Sequence, residues 1–362
     1  MESAHPLQQT GCGRRNRESM GAWPWRAVIV GMEAVPQPPA EPERRFSRGN
    51  SVMTRKRDIL SIADLSISEL QGLIKLAGLL KSGSVRPDAG GKSLALVFEK
   101  PSLRTRVSFE IAMNQLGGIC VVLGPDEVGL GTREPAEDVA GVLSRYVDIL
   151  AARVSAHKDV VALAEHATIP VVNALSDLEH PCQTLADLLT LKERFGKLEG
   201  LTLAYIGDGN NVARSLALGC AMTGVGFRIS SPRGYELDSD SFSAVSMATL
   251  GWSVQQIDDP MEVAIGADAV YTDVWTSMGQ ESERDERLRA FDGYQVTLET
   301  LASAAPEVIF LHDMPAHRGE EVADGVMEDH RSAVLDQAEN RLHTQKALLA
   351  FLLGVSDLPQ RT

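Results

Sequence analysis

Short apolar segments alternate with segments of helical period along most of this chain, and that alternation is the feature that most restricts its fold. Strands are predicted at 93–98, 119–123, 148–154, 170–173, 201–206, 226–229, 269–271 and 308–311, and helices at 66–81, 104–116, 136–146, 160–166, 183–195 and 336–353. Apolar runs of strand length between helices are typical of parallel sheets with helices on both faces. The pattern therefore predicts an α/β protein.

A break near residues 196–200 divides the pattern into two series of strands and helices. The 362 residues are enough for two domains, each with its own core. We predict a first domain over residues 53–195 and a second over residues 200–335. Ligands of such folds bind at the carboxyl ends of the strands or between the domains.

Residues 1–52 differ from the rest of the chain. They contain six of its 17 prolines and scattered arginines, but no sustained apolar period. Such a segment cannot bury enough apolar surface to offset the entropy lost on ordering, so we interpret it as a disordered extension. One alternative is a transit peptide, which the five glutamates of the segment disfavour. Another is a mis-assigned start, with Met53 as the true first residue.

Composition excludes several classes of partner. The net charge of −14 argues against general binding to nucleic acid or anionic lipid, so positive charge for an anionic substrate must be gathered locally. No apolar run approaches the roughly 18–20 residues that span a bilayer, which argues against a membrane protein. The four cysteines form no CxxC pair, and we interpret them as reduced thiols of a cytoplasmic protein.

Segment 98–106 joins a predicted strand to a predicted helix and combines hydroxyl and arginine side chains. Ser102 stands where it could cap the helix, whose first amides lack intrahelical partners and attract an anion together with the helix dipole. Arg104 and Thr105 add charge-assisted and hydroxyl donors. The segment is therefore either a phosphate site or an arginine-rich helix start that faces solvent.

Residues 98–110 resemble the carbamoyl-phosphate signature of the aspartate/ornithine carbamoyltransferase family. The resemblance covers nearly the whole chain, from about residue 59 to residue 354. It implies five contacts with the phosphate group: Ser102, the backbone N–H of Leu103, Arg104, Thr105 and Arg153. Arg153 is also implied to reach the carbamoyl oxygen.

The segment His180-Pro-Cys-Gln183 matches the His-Pro-x-Gln motif of the family. The match implies that His180 contacts the carbamoyl oxygen and that Gln183 contacts the carbamoyl nitrogen. Arg341, in Glu-Asn-Arg, matches one more carbamoyl phosphate contact. Donors around an oxygen that gains negative charge stabilise a tetrahedral intermediate, as in an oxyanion hole. Taken alone, a histidine at a helix entry is more often satisfied by backbone.

Segment 273–279 resembles the ornithine loop of the ornithine-specific members of the family, which the aspartate-specific members lack. By this resemblance Asp273 accepts the α-amino group of ornithine. The other ornithine contacts that it implies are Asn211, Ser277, the backbone of Met278, Asp313 and Met314. Asn211 closes a glycine-rich turn at 207–211 that could suggest a dinucleotide site, but the turn lacks the full Gly-x-Gly-x-x-Gly spacing.

Three residues depart from the family pattern. Leu103 stands where threonine is usual, although its backbone N–H is retained. Gly129 stands where a glutamine or histidine reaches the phosphate of a neighbouring subunit, a contact that glycine has no side chain to make. Asp313 replaces the cysteine that lies beside the reacting δ-amine.

The resemblance implies an activity: transfer of the carbamoyl group of carbamoyl phosphate to the δ-amino group of L-ornithine, giving citrulline and phosphate in arginine biosynthesis. Arg153, His180 and Asp313 would be the catalytic residues, and the reaction would need neither metal nor organic cofactor. The first domain would bind carbamoyl phosphate and the second ornithine, with the last helix, at 336–354, packed back on the first domain. The resemblance also implies a homotrimer.

Two alternatives remain open. The acceptor could be another amine, such as putrescine or an N-acylated ornithine, although Asp273 as an acceptor for a free α-ammonium group favours ornithine. The chain could also be a catalytically impaired member of the family with a binding or regulatory role. Only Asp313 and Gly129 suggest this second alternative.

Removal of residues 1–52 should leave folding and activity unchanged, because the segment carries no pattern that would let it join a core. The melting temperature and the rate of citrulline formation of the truncated and full-length proteins provide the test. A truncated protein that melts several degrees lower, or that loses activity, would contradict this interpretation.

Overall fold

The computed structural model describes residues 56–130, 133–238, 240–241, 243, 254–277 and 279–358. The extension predicted for residues 1–52 lies outside these residues, and so does the alternative start at Met53. Among the described helices, none combines the length and the apolar composition needed to cross a bilayer.

Strands and helices alternate along the described residues. The strands are β1 (Ser93–Phe98), β2 (Ile119–Leu123), β3 (Ile149–Arg153), β4 (Val171–Leu175), β5 (Thr202–Ile206), β6 (Gly226–Ser230), β7 (Val254–Gln256), β8 (Ala269–Thr272) and β9 (Ile309–His312). The α-helices are α1 (Ile67–Lys81), α2 (Leu103–Gln115), α3 (Pro125–Val128), α4 (Ala136–Leu143), α5 (His157–His166), α6 (Pro181–Phe195), α7 (Asn211–Thr223), α8 (Pro260–Ala264), α9 (Arg284–Ala290), α10 (Leu298–Ser303) and α11 (Val334–Leu352). Short 3-10 helices lie at Ile62–Asp64 and Glu281–Glu283.

The strands form two sheets, and every strand pairing is parallel. The first sheet has the order β2-β1-β3-β4 and the second the order β7-β6-β5-β8-β9. In the first sheet the chain forms β1, adds β2 on one side of it, and then adds β3 and β4 on the other side. In the second sheet it forms β5, adds β6 and β7 on one side, and then adds β8 and β9 on the other side. Ligands bind beyond the carboxyl ends of the strands at such a switch point. The predicted fold class, two parallel-sheet domains with helices, is confirmed.

Local sequence explains where the first elements begin. The Oγ atom of Ser66 accepts a hydrogen bond from the N–H of Glu69 at 3.2 Å, and the Glu69 carboxylate accepts one from the N–H of Ser66 at 2.8 Å. This reciprocal capping box fixes the start of α1. All residues of β1 after Ser93 are buried, as expected for a parallel strand covered on both faces.

The last helix, α11, packs on α1, α2 and α6 of the first domain. Lys81 donates to the Oδ1 atom of Asn340 at 2.8 Å, and Lys346 donates to the Oε1 atom of Gln115 at 2.8 Å. These contacts join residues more than two hundred positions apart in the chain. The predicted return of the last helix to the first domain is confirmed.

Some elements differ from their predictions. Helix α4 ends at Leu143, three residues before its predicted end, because the N–H of Arg145 turns back to the carbonyl of Val142 three residues earlier. Strand β7 is not predicted, since Val-Gln-Gln carries no apolar run. It lies at the edge of its sheet, where only one side needs a partner strand.

Helices α6 and α7 approach closely at Gly219, and this contact gives a stability prediction. A Cβ atom at Gly219 would lie 2.4 Å from the Cγ2 atom of Thr184 and 3.2 Å from Cδ1 of Leu188. We expect Gly219→Ala to lower the free energy of unfolding by about 1–3 kcal/mol, the usual cost of overpacking a core. Urea denaturation at equilibrium measures it.

The matched control is Gly141→Ala on the exposed side of α4, where a Cβ atom would meet nothing within 4 Å. This change should raise the free energy of unfolding by about 0.5–1 kcal/mol, because alanine loses less conformational entropy in a helix. Equal effects of the two substitutions would show that α6 and α7 do not meet at Gly219.

Candidate active site

A cavity of about 700 Å³ opens where the carboxyl ends of the two sheets face each other. Its walls come from the loops after β1, β3 and β4 of the first sheet and after β5, β8 and β9 of the second. Helix α11 adds Arg341. Both sheets thus contribute to one cavity from the side where doubly wound sheets bind ligands.

Twelve of the fourteen residues predicted for the site line this cavity: Ser102, Leu103, Arg104, Thr105, Arg153, His180, Asn211, Asp273, Ser277, Asp313, Met314 and Arg341. Gln183 does not line it but lies behind the wall, buried and hydrogen-bonded to Arg341. Met278 lies outside the described residues. Motifs that are distant in the sequence therefore converge on one space.

Helix α2 begins at the cavity wall. Ser102 occupies the N-cap position, and its Oγ atom accepts a hydrogen bond from the N–H of Thr105 at 3.3 Å. Leu103 is 75% exposed, and because its side chain is apolar, only its backbone N–H can donate to a ligand. The free amides of the first turn and the helix dipole favour an anion at this position. The predicted helix cap is confirmed.

Three arginines bring positive charge to the same wall: Arg104, Arg153 and Arg341. Burial, together with the charges of Arg341 and Arg104, lowers the pKa of Arg153 to about 10. Burial also lowers the pKa of Arg341. Among the described residues, the Nε atoms of Arg153 and Arg341 have no hydrogen-bond partner. Both guanidinium groups remain charged at neutral pH, and a dianion between them would relieve their repulsion.

His180 stands at the start of α6 and is only 3% exposed. Its backbone N–H donates to the Oγ atom of Ser215 at 2.8 Å, and that hydroxyl donates to Glu179 at 2.8 Å. Burial and then the nearby arginines, first Arg341, hold the pKa of His180 well below its usual value. The imidazole is therefore neutral, and its Nδ1 atom has no partner among the described residues.

Two carboxyl groups, those of Asp273 and Asp313, meet on the opposite wall with oxygen atoms within 4.8 Å of each other. Asp273 accepts hydrogen bonds from Asn210 at 2.8 Å and from the N–H of Val274 at 2.7 Å. Burial and then repulsion by Asp313 raise the pKa of Asp273. Burial opposes ionisation of Asp313 too, but the neighbouring Asp273 carboxyl and the charge of Arg104 favour the ionised form and lower the pKa of Asp313. A proton shared by the pair would therefore lie on Asp273 rather than on Asp313.

His312 precedes Asp313 and fixes the turn that follows β9. The N–H of Met314 donates to its Nδ1 atom at 2.8 Å, and its Nε2 atom lies 3.2 Å from Glu321. Burial lowers the pKa of His312, whereas the nearby carboxyl groups of Asp313 and Glu321 raise it. The Met314 N–H nevertheless needs a lone pair on Nδ1, because a proton there would set two donors face to face. We therefore assign a neutral ring with its proton on Nε2.

Met314 has a positive φ of 61°, a conformation that costs a residue with a Cβ atom some strain. The turn aims its carbonyl at the cavity, where Arg104 donates to it at 2.6 Å. A residue of the first domain thereby contacts the turn that carries Asp313.

The predicted amino-acid contacts have other partners in this structure. Asn211 donates to the carbonyl of Ser176 at 2.6 Å, and the N–H of Ser277 donates to Gln280 at 3.0 Å. The neighbour of Asn211, Asn210, contacts Asp273 instead. Asn211 and Ser277 therefore line the cavity while one donor group of each is engaged by a neighbouring protein atom.

Sequence reasoning missed several residues that line the cavity, among them Lys100, Asn210, Arg284, His317 and Glu320. Lys100 lies within the segment already singled out at 98–106, and its Nζ atom is 2.9 Å from where a Cβ atom of Gly279 would lie. Asn210 lies in the glycine-rich turn and caps α7 by accepting from the N–H of Val212 at 2.9 Å. Lys100 and Asn210 could have been found because they lie beside residues that were predicted for the site. Arg284 follows β8, and His317 and Glu320 follow β9, but no sequence motif marks these three residues.

Within the part of the chain that the structure describes, two groups of side chains offer atoms close enough to share a cation: Asp273 with His312 and Asp313, and His317 with Glu320 and Glu321. In the first group, Met314 and Glu321 already bond to both nitrogens of His312. In the second, Glu320 pairs with Arg284, and Glu321 accepts from the ring of His312. Internal hydrogen bonds and ion pairs thus occupy much of both donor sets.

Gly129, one of the three departures from the family pattern, ends α3 in the left-handed region, with φ of 59°. It is not among the residues that line the cavity. A left-handed backbone conformation favours glycine, so the local conformation alone can explain why this position is a glycine. The absence of a side-chain contact from Gly129 to a neighbouring subunit stays a prediction.

Two family models match the chain. The carbamoyl-P binding domain of aspartate/ornithine carbamoyltransferase matches residues 57–193. The Asp/Orn binding domain of aspartate/ornithine carbamoyltransferase matches residues 199–352. The two matched ranges contain the strands of the first and the second sheet, respectively.

Individual relatives are similar over most of their length. An ornithine carbamoyltransferase of Parasynechococcus marenigrum (strain WH8102) is 55% identical over 299 residues, which cover 82% of this chain and 94% of the relative. The crystal structure of ornithine carbamoyltransferase from Thermus thermophilus has a TM-score of 0.75 and 50% identity, covering 82% of this chain and 99% of that one. The crystal structure of acetylornithine transcarbamylase complexed with acetylcitrulline has a TM-score of 0.74 and 32% identity, covering 82% of this chain and 98% of that one.

The cationic wall should bind inorganic phosphate, and this can be tested without a reaction. We expect Arg104→Ala and Arg153→Ala each to weaken phosphate binding by about 1.5–3 kcal/mol, the usual contribution of a hydrogen bond to a charged group. Isothermal titration calorimetry gives the dissociation constants. The matched control is Arg106→Ala, since Arg106 is on the same helix but does not line the cavity and lies 3.6 Å from Glu110. Equal losses in all three variants would contradict the assignment.

Proposed function

Because the chain belongs to the aspartate/ornithine carbamoyltransferase family, we propose that it transfers the carbamoyl group of carbamoyl phosphate to the δ-amino group of L-ornithine, giving L-citrulline and phosphate. One observation carries this proposal. A single cavity sets a cationic wall of the first domain, suited to a phosphate dianion, opposite a carboxyl pair of the second domain, suited to an amine. The ornithine carbamoyltransferases similar to the chain at 50–55% identity agree with it.

The phosphate group binds at the start of α2. Ser102, Thr105 and the N–H of Leu103 supply hydroxyl and amide donors, and Arg104 and Arg153 supply charge. The buried, unpartnered Nε atom of Arg153 supports this role, since an anionic oxygen would complete its hydrogen bonding. Arg104 must exchange the carbonyl of Met314 for a phosphate oxygen when the substrate binds.

The carbamoyl group lies next to the phosphate, among His180, Arg153, Arg341 and Gln183. Neutral His180 donates a ring N–H to the carbonyl oxygen, and the two arginines stabilise the negative charge that develops on it. Gln183 accepts from the carbamoyl nitrogen through its Oε1 atom. That atom already accepts from Arg341 at 2.5 Å, which supports its orientation toward the substrate.

Ornithine binds against the second domain. Its proposed contacts are Asn211, Asp273, Ser277, the backbone of Met278, Asp313 and Met314. Asp273 takes the α-ammonium group, and Asp313 lies beside the δ-amine. Two carboxyl groups on one wall fit a substrate with two amines, because each amine gains an acceptor.

The reaction proceeds by attack of the neutral δ-amine on the carbamoyl carbon. The δ-ammonium group first loses a proton to solvent, and the neighbouring Asp313 carboxylate raises the pKa at which this happens. Its nitrogen lone pair then forms the new C–N bond, the C–O bond to phosphate breaks, and phosphate leaves with the bonding electrons and takes the second amine proton. Holding both substrates at reacting distance contributes on the order of 7–11 kcal/mol in favourable cases.

Three broader assignments belong to the same proposal. Residues 53–195 with the last helix at 336–354 form the carbamoyl phosphate domain, and residues 200–335 form the ornithine domain. The free thiols of Cys120, Cys182 and Cys220 fit a reducing cytoplasm. Citrulline formation serves arginine biosynthesis.

We also propose a homotrimer, which an exposed apolar surface supports. Strand β2 is an edge strand, yet Ile119 and Val121 are 65% and 46% exposed. Val107 and Ile111 on the neighbouring helix α2 are 45% and 43% exposed. Apolar edge strands are usually covered, and this surface adjoins the helix that begins at the cavity.

Two other functions are separated from this one by an assay. Putrescine or N-acylated ornithine offers no free α-ammonium group to Asp273, and an impaired enzyme would form no product at all. Purified protein is given carbamoyl phosphate with ornithine, N-acetylornithine, putrescine or aspartate, and each carbamoylated product is quantified. Ornithine should give the highest kcat/KM. A preference for another amine, or no turnover, would overturn the proposal.

Asp313 gives the pH prediction of this mechanism. Its pKa is lowered, so the carboxylate is charged throughout the working range and raises the pKa of the δ-ammonium group beside it. Asp313→Cys removes that charge near neutral pH. The acid limb of the kcat/KM profile for ornithine should therefore move to lower pH. A displacement of one pH unit corresponds to about 1.4 kcal/mol of interaction between the carboxylate and the charged form of the amine.

The control for this profile is Asp177→Asn. Asp177 also lines the cavity, but its carboxylate accepts from the N–H of His157 at 2.7 Å and lies in the loop after β4. This variant should keep the wild-type profile. An unmoved acid limb in Asp313→Cys would show that Asp313 does not face the reacting amine.

A further inference from the structure

Asp187 lies on α6, one turn after Gln183, and does not line the cavity. Its side chain is fully buried. The Oδ1 atom accepts two hydrogen bonds, from the Nε2 atom of Gln183 at 2.8 Å and from the Nε2 atom of Gln337 at 2.7 Å. Among the described residues, its Oδ2 atom has no partner. A buried carboxyl group with two amide donors on one oxygen is costly, and the catalytic steps above do not use it.

The first of these bonds decides which way the amide of Gln183 faces. An amide has one donating and one accepting end, and Asp187 engages the donating end. The Oε1 atom must then point the other way, toward Arg341 and the cavity wall. Without an acceptor at Asp187, the amide could turn over and present its NH₂ group to the carbamoyl nitrogen, which is also a donor.

The second bond reaches the opposite wall of the cavity. Gln337, on α11, donates to Asp187, and its Oε1 atom accepts from the backbone N–H of His312 at 2.9 Å. His312 ends β9 and immediately precedes Asp313. Three buried side chains therefore connect the residue proposed to hold the carbamoyl nitrogen with the backbone that carries the residue proposed to face the δ-amine.

We propose that Asp187 is a positioning residue for the transfer reaction: its Oδ1 atom holds the Gln183 carbonyl toward the carbamoyl group and, through Gln337, fixes the end of β9 relative to it. This inference rests on the proposed function. It requires an acceptor at Oδ1 rather than a negative charge, since both hydrogen bonds end on that atom. Burial raises the pKa of Asp187 to about 7, so a neutral carboxyl group is readily formed there.

Three variants of the full chain test the inference. Asp187→Leu removes the acceptor with little change in volume, whereas Asp187→Asn keeps an oxygen that can accept both bonds. The matched control, Asn340→Leu, breaks buried hydrogen bonds between the same two helices, to Thr190 at 3.0 Å and Glu193 at 2.8 Å, without contacting Gln183. Steady-state kinetics of citrulline formation give kcat and the KM of each substrate.

Asp187→Leu should raise the KM of carbamoyl phosphate and lower kcat, each by about 10-fold or more, as expected when buried donors are left unpaired. Asp187→Asn should stay within about threefold of wild type, and Asn340→Leu should lose stability without a selective rise in that KM. Equal kinetics of Asp187→Leu and Asn340→Leu would overturn the inference. So would an Asp187→Asn variant as impaired as Asp187→Leu, because charge would then matter more than the acceptor.

If Asp187→Leu does not fold, Gln337→Leu takes its place. This variant keeps the bond between Asp187 and Gln183 but removes the link to His312. It should lower kcat about 10-fold while the KM of carbamoyl phosphate stays unchanged, and wild-type kinetics would overturn the inference. Wild-type protein that forms no citrulline would instead refute the proposed function itself, which keeps the two failures distinct.

Discussion

Repulsion among three arginines on one wall of the cavity is the interaction on which the site depends. Arg104, Arg153 and Arg341 converge there although the chain as a whole carries a charge of −14. Burial of like charges is unfavourable in the free protein, and the charges of Arg341 and Arg104 lower the pKa of Arg153. Under the proposed function, a phosphate dianion bound beside these arginines relieves that repulsion. The acidic remainder of the surface disfavours larger polyanions, which would meet repulsion outside the cavity.

Parallel topology explains why residues so distant in sequence meet at this point. The carboxyl ends of all strands in a parallel sheet lie at one edge, and each loop at that edge begins with residues that the strand itself holds in register. Two such edges face the cavity, so each domain presents its own charged side chains to that space. The return of α11 then adds Arg341 to the wall of the first domain and Gln337 to the buried link beneath both walls.

The sequence predicted most of this because its signals were local. Ser66 and Ser102 cap helices through hydrogen bonds to residues three positions away, and β1 and β2 follow apolar runs that need no partner to be recognised. The buried link through Asp187 was not predictable, since it joins α6 to a helix 150 residues later through side chains that have no shared motif. The same holds for Asn210, whose contact with Asp273 depends on how two loops meet. The end of α4, in contrast, was predicted too late, because a tight turn at Arg145 ends the helix at Leu143.

Under the proposed function, the two walls divide one substrate pair between them, with phosphate on the cationic wall and the amines on the carboxyl wall. A crystal structure with a bisubstrate analogue, in which a phosphonoacetyl group is joined to the δ-nitrogen of L-ornithine, tests it most directly. We expect phosphonate oxygens within hydrogen-bonding distance of Arg104, Arg153 and the first amides of α2, with the α-amino group at Asp273 and the δ-nitrogen beside Asp313. An analogue bound in the reverse orientation, or outside the cavity, would contradict it.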